Sequence, residues 1–206
     1  MKTLNSFSLL TLMVVMTIGF SASVQAMKAP DQVVRETVDS IVKNIQSNRE
    51  TYKANTNALY AMVENTLVPA IHVPRMANLI LGKATSKKST AAQKAAFAAE
   101  FKTFLLRSYA TALLEYTGSE KVVYEPISMA PGSDKVTVRA ALIASSGSSY
   151  PVNLYMSNRK DSQWRAYNLE VAGINFVSTY RATFGEIIAQ RGIDGLIADL
   201  RQKNAR

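Results

Sequence analysis

The chain has 206 residues, with 24 Lys and Arg against 15 Asp and Glu, one His and no Cys. With 48% hydrophobic and 19% charged residues it is a folded domain with a core, neither a disordered tail nor a disulfide-stapled miniprotein. The missing Cys excludes thiolate–metal, thiol-redox and Cys-nucleophile chemistry, the single His excludes any two-imidazole site, and the +9 charge points to nucleic acid, anionic membrane or acidic ligands.

The N-terminus chooses among these. Lys2 precedes a 12-residue apolar run, Leu9 to Phe20, and then small residues ending in Val24-Gln25-Ala26. That is the pattern of an export signal cleaved after Ala26, and the run is too short to favour a membrane span. Residues 27–206 are then one domain in a disulfide-permissive compartment, holding together without any disulfide. Nucleic acid is scarce there and anionic lipid is plentiful. No Cys follows the cleavage position, which excludes a lipid-anchored form.

Val33, Val34, Thr37, Val38, Ile41, Val42 and Ile45 recur at helical spacing, predicting a helix over about Pro30 to Ser47. Leu59, Met62, Val63 and Leu67 predict a second, ending before Pro69. Pro74 opens a short helix that Gly82 would stop. Thr90 to Tyr116 reads as one long Ala-rich helix, with Phe97, Phe101, Phe104 and Leu105 on one stripe. The period then changes to that of strands. Four are predicted, at 121–128, 135–144, 150–157 and 163–171, separated by turns such as Pro131-Gly132-Ser133-Asp134 and Ser145-Ser146-Gly147-Ser148. Helix returns at about Asn175 to Gln190, followed by a short one carrying Ile193, Leu196, Ile197 and Leu200. The layout is α+β: a four-stranded antiparallel sheet wrapped by helices, shaped as a cup. Periodicity does not say whether the cup is filled.

No nucleophile elbow, zinc-binding helix or phosphate-cradling glycine loop is present, and His72 has no carboxylate in its own segment. The expectation is therefore no enzyme, no metal and no cofactor. The positive charge is unevenly spread. No acid falls between Glu64 and Glu100, where Arg75, Lys83, Lys87, Lys88 and Lys94 lie, and none between Asp134 and Asp161, where Arg139 lies. Such stretches make either an ordinary solvated surface or a docking face for anionic head groups or an acidic partner.

Three runs carry a family resemblance: Leu81-Gly82-Lys83; Gln93-x-x-x-Phe97-x-x-x-Phe101 followed by Leu106-Arg107-x-Tyr109-Ala110; and Gly173-Ile174-Asn175-Phe176-Val177-x-x-Tyr180-Arg181-x-x-Phe184. In order and spacing the chain resembles the MlaC family of periplasmic toluene-tolerance proteins over about Pro30 to Lys203. It departs from that pattern at His72, Thr85, Asn168 and Asn175, where the family more often has Asp, an aromatic residue, Asp and Ser.

The resemblance implies a nuclear-transport-factor-two-like cup with an apolar cavity and a non-enzymatic periplasmic phospholipid carrier, monomeric, with phospholipid as cargo. It implies as partners an inner-membrane ABC transporter with an MCE component and an outer-membrane lipoprotein–porin complex, the whole maintaining outer-membrane lipid asymmetry. The alternative is a periplasmic module for a quinone, sterol or isoprenoid. The expected lipid wall is Met76, Ile80, Phe97, Phe101, Phe104, Leu105 and Tyr109 from helices. Val138, Ala140, Leu142 and Tyr155, or their alternating neighbours, would join from strands, with Trp164, Val171, Phe176 and Tyr180 closing the end. Lys83, Lys87, Lys88 and Arg139 are the head-group or docking cations, joined by Arg181, whose first reading is a structural anchor.

Overall fold

The computed structural model describes residues 27–159 and 162–205, so the export signal read at residues 1–26 lies outside the described residues. Helix α1 (Pro30–Ala54) starts on its proline but passes Ser47, because only Asn48 leaves helical geometry (φ −131°) before the chain resumes. Helix α2 (Thr56–Thr66) is capped by Asn55, whose side chain accepts from the Ala58 N–H at 3.2 Å. A 3-10 turn at Val68–Ala70 leads to α3 (Val73–Lys88). Gly82 interrupts α3 with φ 72°, yet the chain is helical again through Lys88.

Helix α4 (Ala91–Tyr109) begins in a capping box, with Thr90 and Gln93 exchanging bonds of 2.9 and 3.1 Å. It does not continue to Tyr116. The chain tightens into a 3-10 helix at Ala110–Glu115, whose end is held by the Arg49 guanidinium donating to the Leu114 and Tyr116 carbonyls.

The sheet is an antiparallel meander of five strands rather than four: β1 (Lys121–Tyr124), β2 (Lys135–Ile143), β3 (Ser149–Ser157), β4 (Arg165–Val171) and β5 (Ile174–Asn175). β1 stops short of Ser128, since Pro126 has no N–H to donate to the ladder. The extra strand is created by Ala172 and Gly173, both with positive φ (49° and 80°), which fold a two-residue hairpin back onto Val171. Asn175 then caps α5 (Phe176–Asn204), accepting from the Ser178 N–H at 3.0 Å. Gly192 breaks α5 between the two helical stretches that the pattern separates.

Side chains pack into three cores. Phe97, Phe101 and Phe184 centre a bundle of α3, α4 and α5. Val34 of α1 meets Val136, Val138, Met156, Trp164 and Ala166 on the sheet. Ile45, Tyr52, Leu59, Met62 and Val63 join α1 to α2, with Ala110. These three cores surround a space that none of them fills.

Candidate functional site

Where the cores meet lies a hollow of about 550 Å³. Its walls come from each of them: Val34, Val38 and Ile41 on α1; Met76 on α3; Phe101, Leu105, Leu106 and Tyr109 on α4; Leu154 and Met156 on β3; Ala166, Leu169 and Val171 on β4. Most of the lining is aliphatic, and its neutral polar groups are satisfied within the protein. Thr37 Oγ1 donates to the Val33 carbonyl at 2.7 Å. Asn168 donates to Asn175 Oδ1 at 3.2 Å and accepts from the Leu169 and Val177 N–H groups at 2.9 and 3.1 Å. The two family departures at Asn168 and Asn175 thus form one local network that ties β4 to the start of α5. Tyr109, 52% exposed at the rim, shares a 2.7 Å hydroxyl contact with Tyr180. Burial, and then that contact, raises the Tyr180 phenol well above its ordinary pKa.

A dry wall without unpaired polar groups suits hydrocarbon and little else. At about 550 Å³ the hollow falls within the roughly 300–1,000 Å³ range of small-molecule binding sites.

Of the wall residues expected from the sequence, Met76, Phe101, Leu105, Tyr109, Val171 and Phe176 line the hollow. Ile80 and Phe97 do not: both are fully packed in the bundle core, with Phe104 and Tyr180 against them. Val138 and Trp164 belong to the packed core under α1, Ala140 is buried elsewhere on the same sheet face, and Leu142 is 37% exposed. Tyr155 points to the opposite face, where its hydroxyl donates to Glu170 at 3.3 Å. There burial, with the Glu170 charge behind it, raises its pKa. The neighbours Leu154 and Met156 face the hollow instead.

The wall also contains residues that sequence reasoning missed, above all the α1 stripe Val34–Val38–Ile41 and the turn residues Leu67, Val68 and Ile71. The α1 stripe was visible as an amphipathic face, but nothing local to it says what it faces.

A second, basic cleft of about 750 Å³ runs along the other side of α3, lined by His72, Pro74, Arg75, Asn78, Leu79, Lys83, Ser86, Lys87, Arg159 and Arg181. Its shape follows from Gly82. An unbroken helix would bond the Leu79 carbonyl to the Lys83 N–H. The break frees that carbonyl, and Arg181 takes it with Nε at 2.9 Å. Arg181 is therefore an anchor at the cleft wall. Arg75 stacks on Tyr167 at 3.8 Å and Arg159 is ion-paired with Asp134, while Lys83 and Lys87 are exposed. Lys88 and Arg139 are exposed outside the cleft lining. His72 caps α3, its Nδ1 accepting from the Arg75 N–H at 3.3 Å. Among the described residues no cluster of His, Asp and Glu is arranged to hold a metal, and no helix is long and apolar enough to cross a membrane.

Fold and hollow together define an α+β binding domain for a slender apolar ligand. The chain belongs to the MlaC family, whose model, described as MlaC protein, matches residues 35–202. It is 28% identical over 182 residues to toluene tolerance protein ttg2D of Pseudomonas putida, covering 88% of this chain and 83% of that protein. It is 25% identical over 177 residues to the intermembrane phospholipid transport system binding protein MlaC of Haemophilus influenzae, covering 84% and 81%. The fold matches a phospholipid-binding protein from Ralstonia solanacearum solved in complex with a phospholipid, with a TM-score of 0.77 and 23% identity, covering 86% of this chain and 98% of that one.

Proposed function

We infer that this protein carries phospholipid: it holds acyl chain in the hollow between its three cores and keeps the head group at the rim. The observation that carries this reading is the aliphatic hollow itself, continuous from α1 across the sheet to α4. Its relative named for intermembrane phospholipid transport and its phospholipid-bound structural neighbour support the same class. Nothing in this role needs a catalytic step. At ~0.8 kcal/mol per methylene, moving one acyl chain of about 15 methylenes out of water is worth roughly 12 kcal/mol, so spontaneous loss into buffer is slow. Transfer to another apolar site cancels most of that term. A carrier of this kind exchanges lipid by hand-off, in contact with a donor or acceptor.

The exported location, an inner-membrane transporter with an MCE component, an outer-membrane lipoprotein–porin complex and a role in outer-membrane asymmetry complete the reading. Lys83 and Lys87, exposed on the basic cleft, are its docking cations. Native mass spectrometry of protein purified without added lipid tests the cargo. The expected spectrum shows added mass equal to phospholipid, lost only on organic extraction. Added mass matching a quinone, sterol or isoprenoid would replace phospholipid as the cargo, and protein that stays bare after incubation with phospholipid vesicles would refute the carrier role.

A further inference from the structure

Among the described residues lining the hollow, Lys102 alone carries a charge. It sits on α4, one residue beyond Phe101 and on the face that continues through Leu105, Leu106 and Tyr109. Its side chain is 30% exposed, and its ammonium forms an ion pair with Glu64 of α2, which is 46% exposed. The side chain therefore runs along apolar wall and ends at the rim, in contact with a carboxylate that faces water. A long cationic side chain takes this posture when its stem covers apolar surface and its head remains wet. A phospholipid has the complementary division, with hydrocarbon inside and an anion at the edge. The neutral polar groups of the wall are already engaged: Thr37 with the Val33 carbonyl, Asn168 within its cap network, and Tyr109 with Tyr180.

We propose that Lys102 receives the phosphodiester of a bound phospholipid and that Glu64 holds its place while the hollow is empty. The inference rests on the phospholipid-carrier reading and adds the group that tells a phosphate-bearing lipid from an uncharged one. Exchange is easy in both directions. An exposed ion pair contributes little, and Glu64 returns to water when displaced. A phosphate supplies the same charge with more acceptor oxygens, held in place by the chain beneath it.

The test offers the full chain an equimolar mixture of dioleoylphosphatidylglycerol and dioleoylglycerol and reads the bound ratio by extraction and mass spectrometry. Wild type is expected to favour the phospholipid by about tenfold or more. Lys102→Gln should bring the two lipids to near parity, and Lys102→Arg should keep the preference. Glu64→Gln breaks the same ion pair yet should leave the preference intact or raise it, which separates phosphate recognition from a structural role of the pair. An unchanged ratio in Lys102→Gln, with both lipids still bound, overturns the proposal. So does abolition of the wild-type preference by excess inorganic phosphate, which would mark a site for the free ion. Failure of wild type to bind either lipid overturns the carrier reading itself, and this proposal with it.

Discussion

Two apolar regions share helix α4, one packed around a cluster of rings and the other left hollow. The bundle of α3, α4 and α5 is packed with rings: Phe97 stacks on Phe101 at 5.7 Å and meets Phe184 edge-on at 6.1 Å, while Tyr180 meets Phe101 at 5.2 Å. The hollow on the neighbouring face is walled mostly by Val, Leu, Ile, Met and Ala, with Phe101 and Phe176 shared between the two regions. Rings locked in offset and edge contacts have fixed geometry and resist repacking. Aliphatic side chains, and Met above all, adjust to an occupant at small cost. The molecule thus keeps a packed floor beside an open hollow, and hydrophobicity alone does not tell the two apart.

Substitutions on the two sides should separate stability from cargo. The largest expected effect is in the floor. Phe97→Ala removes a ring that is 0% exposed, and should destabilise the fold by about 3–5 kcal/mol in chemical denaturation while the folded fraction still carries lipid. Loss of lipid from well-folded Phe97→Ala would place that residue in the binding wall after all. Val38→Trp is the converse, directing a ring from α1 into the hollow. Lipid recovered on extraction should fall several-fold with the unfolding midpoint nearly unchanged; full occupancy in this variant would mean the chain lies elsewhere. The smallest effect lies outside both regions. Lys83→Glu with Lys87→Glu reverses charge on the basic cleft, and should weaken binding to partner or anionic vesicle, most at low salt, while bound lipid is retained. Docking that survives both reversals would remove the cleft from that role.

Much of the fold could be read from residues in advance because its cues are local. Pro30, Pro74, Thr90 with Gln93, and Asn175 mark helix starts through contacts within one turn. Gly82 and Gly192 mark breaks because their positive φ disfavours other residues. The fifth strand escaped notice because Ala172, a residue seldom found at positive φ, shares the hairpin turn with Gly173. The cavity wall was harder. Phe97 and Phe101 fall on one stripe, yet only one touches the hollow. On β4 the inward face changes parity: Tyr155 pairs with Asn168 and Met156 with Ala166, so Tyr167 is an extra residue. Ala166 and Leu169 then share a wall that strict alternation would forbid. The contribution of α1 depends on where a helix from the other end of the chain docks, and no local pattern encodes that.

The central claim is that the space between the three cores holds the acyl chain. It is tested most directly with a phospholipid bearing a diazirine midway along one chain, bound to the full-length protein, irradiated, and mapped by peptide mass spectrometry. The predicted crosslinks fall on wall residues such as Val38, Leu105, Met156 and Leu169. Crosslinks concentrated on the cleft at Asn78, Lys83 and Lys87, or spread over the surface, would contradict the account.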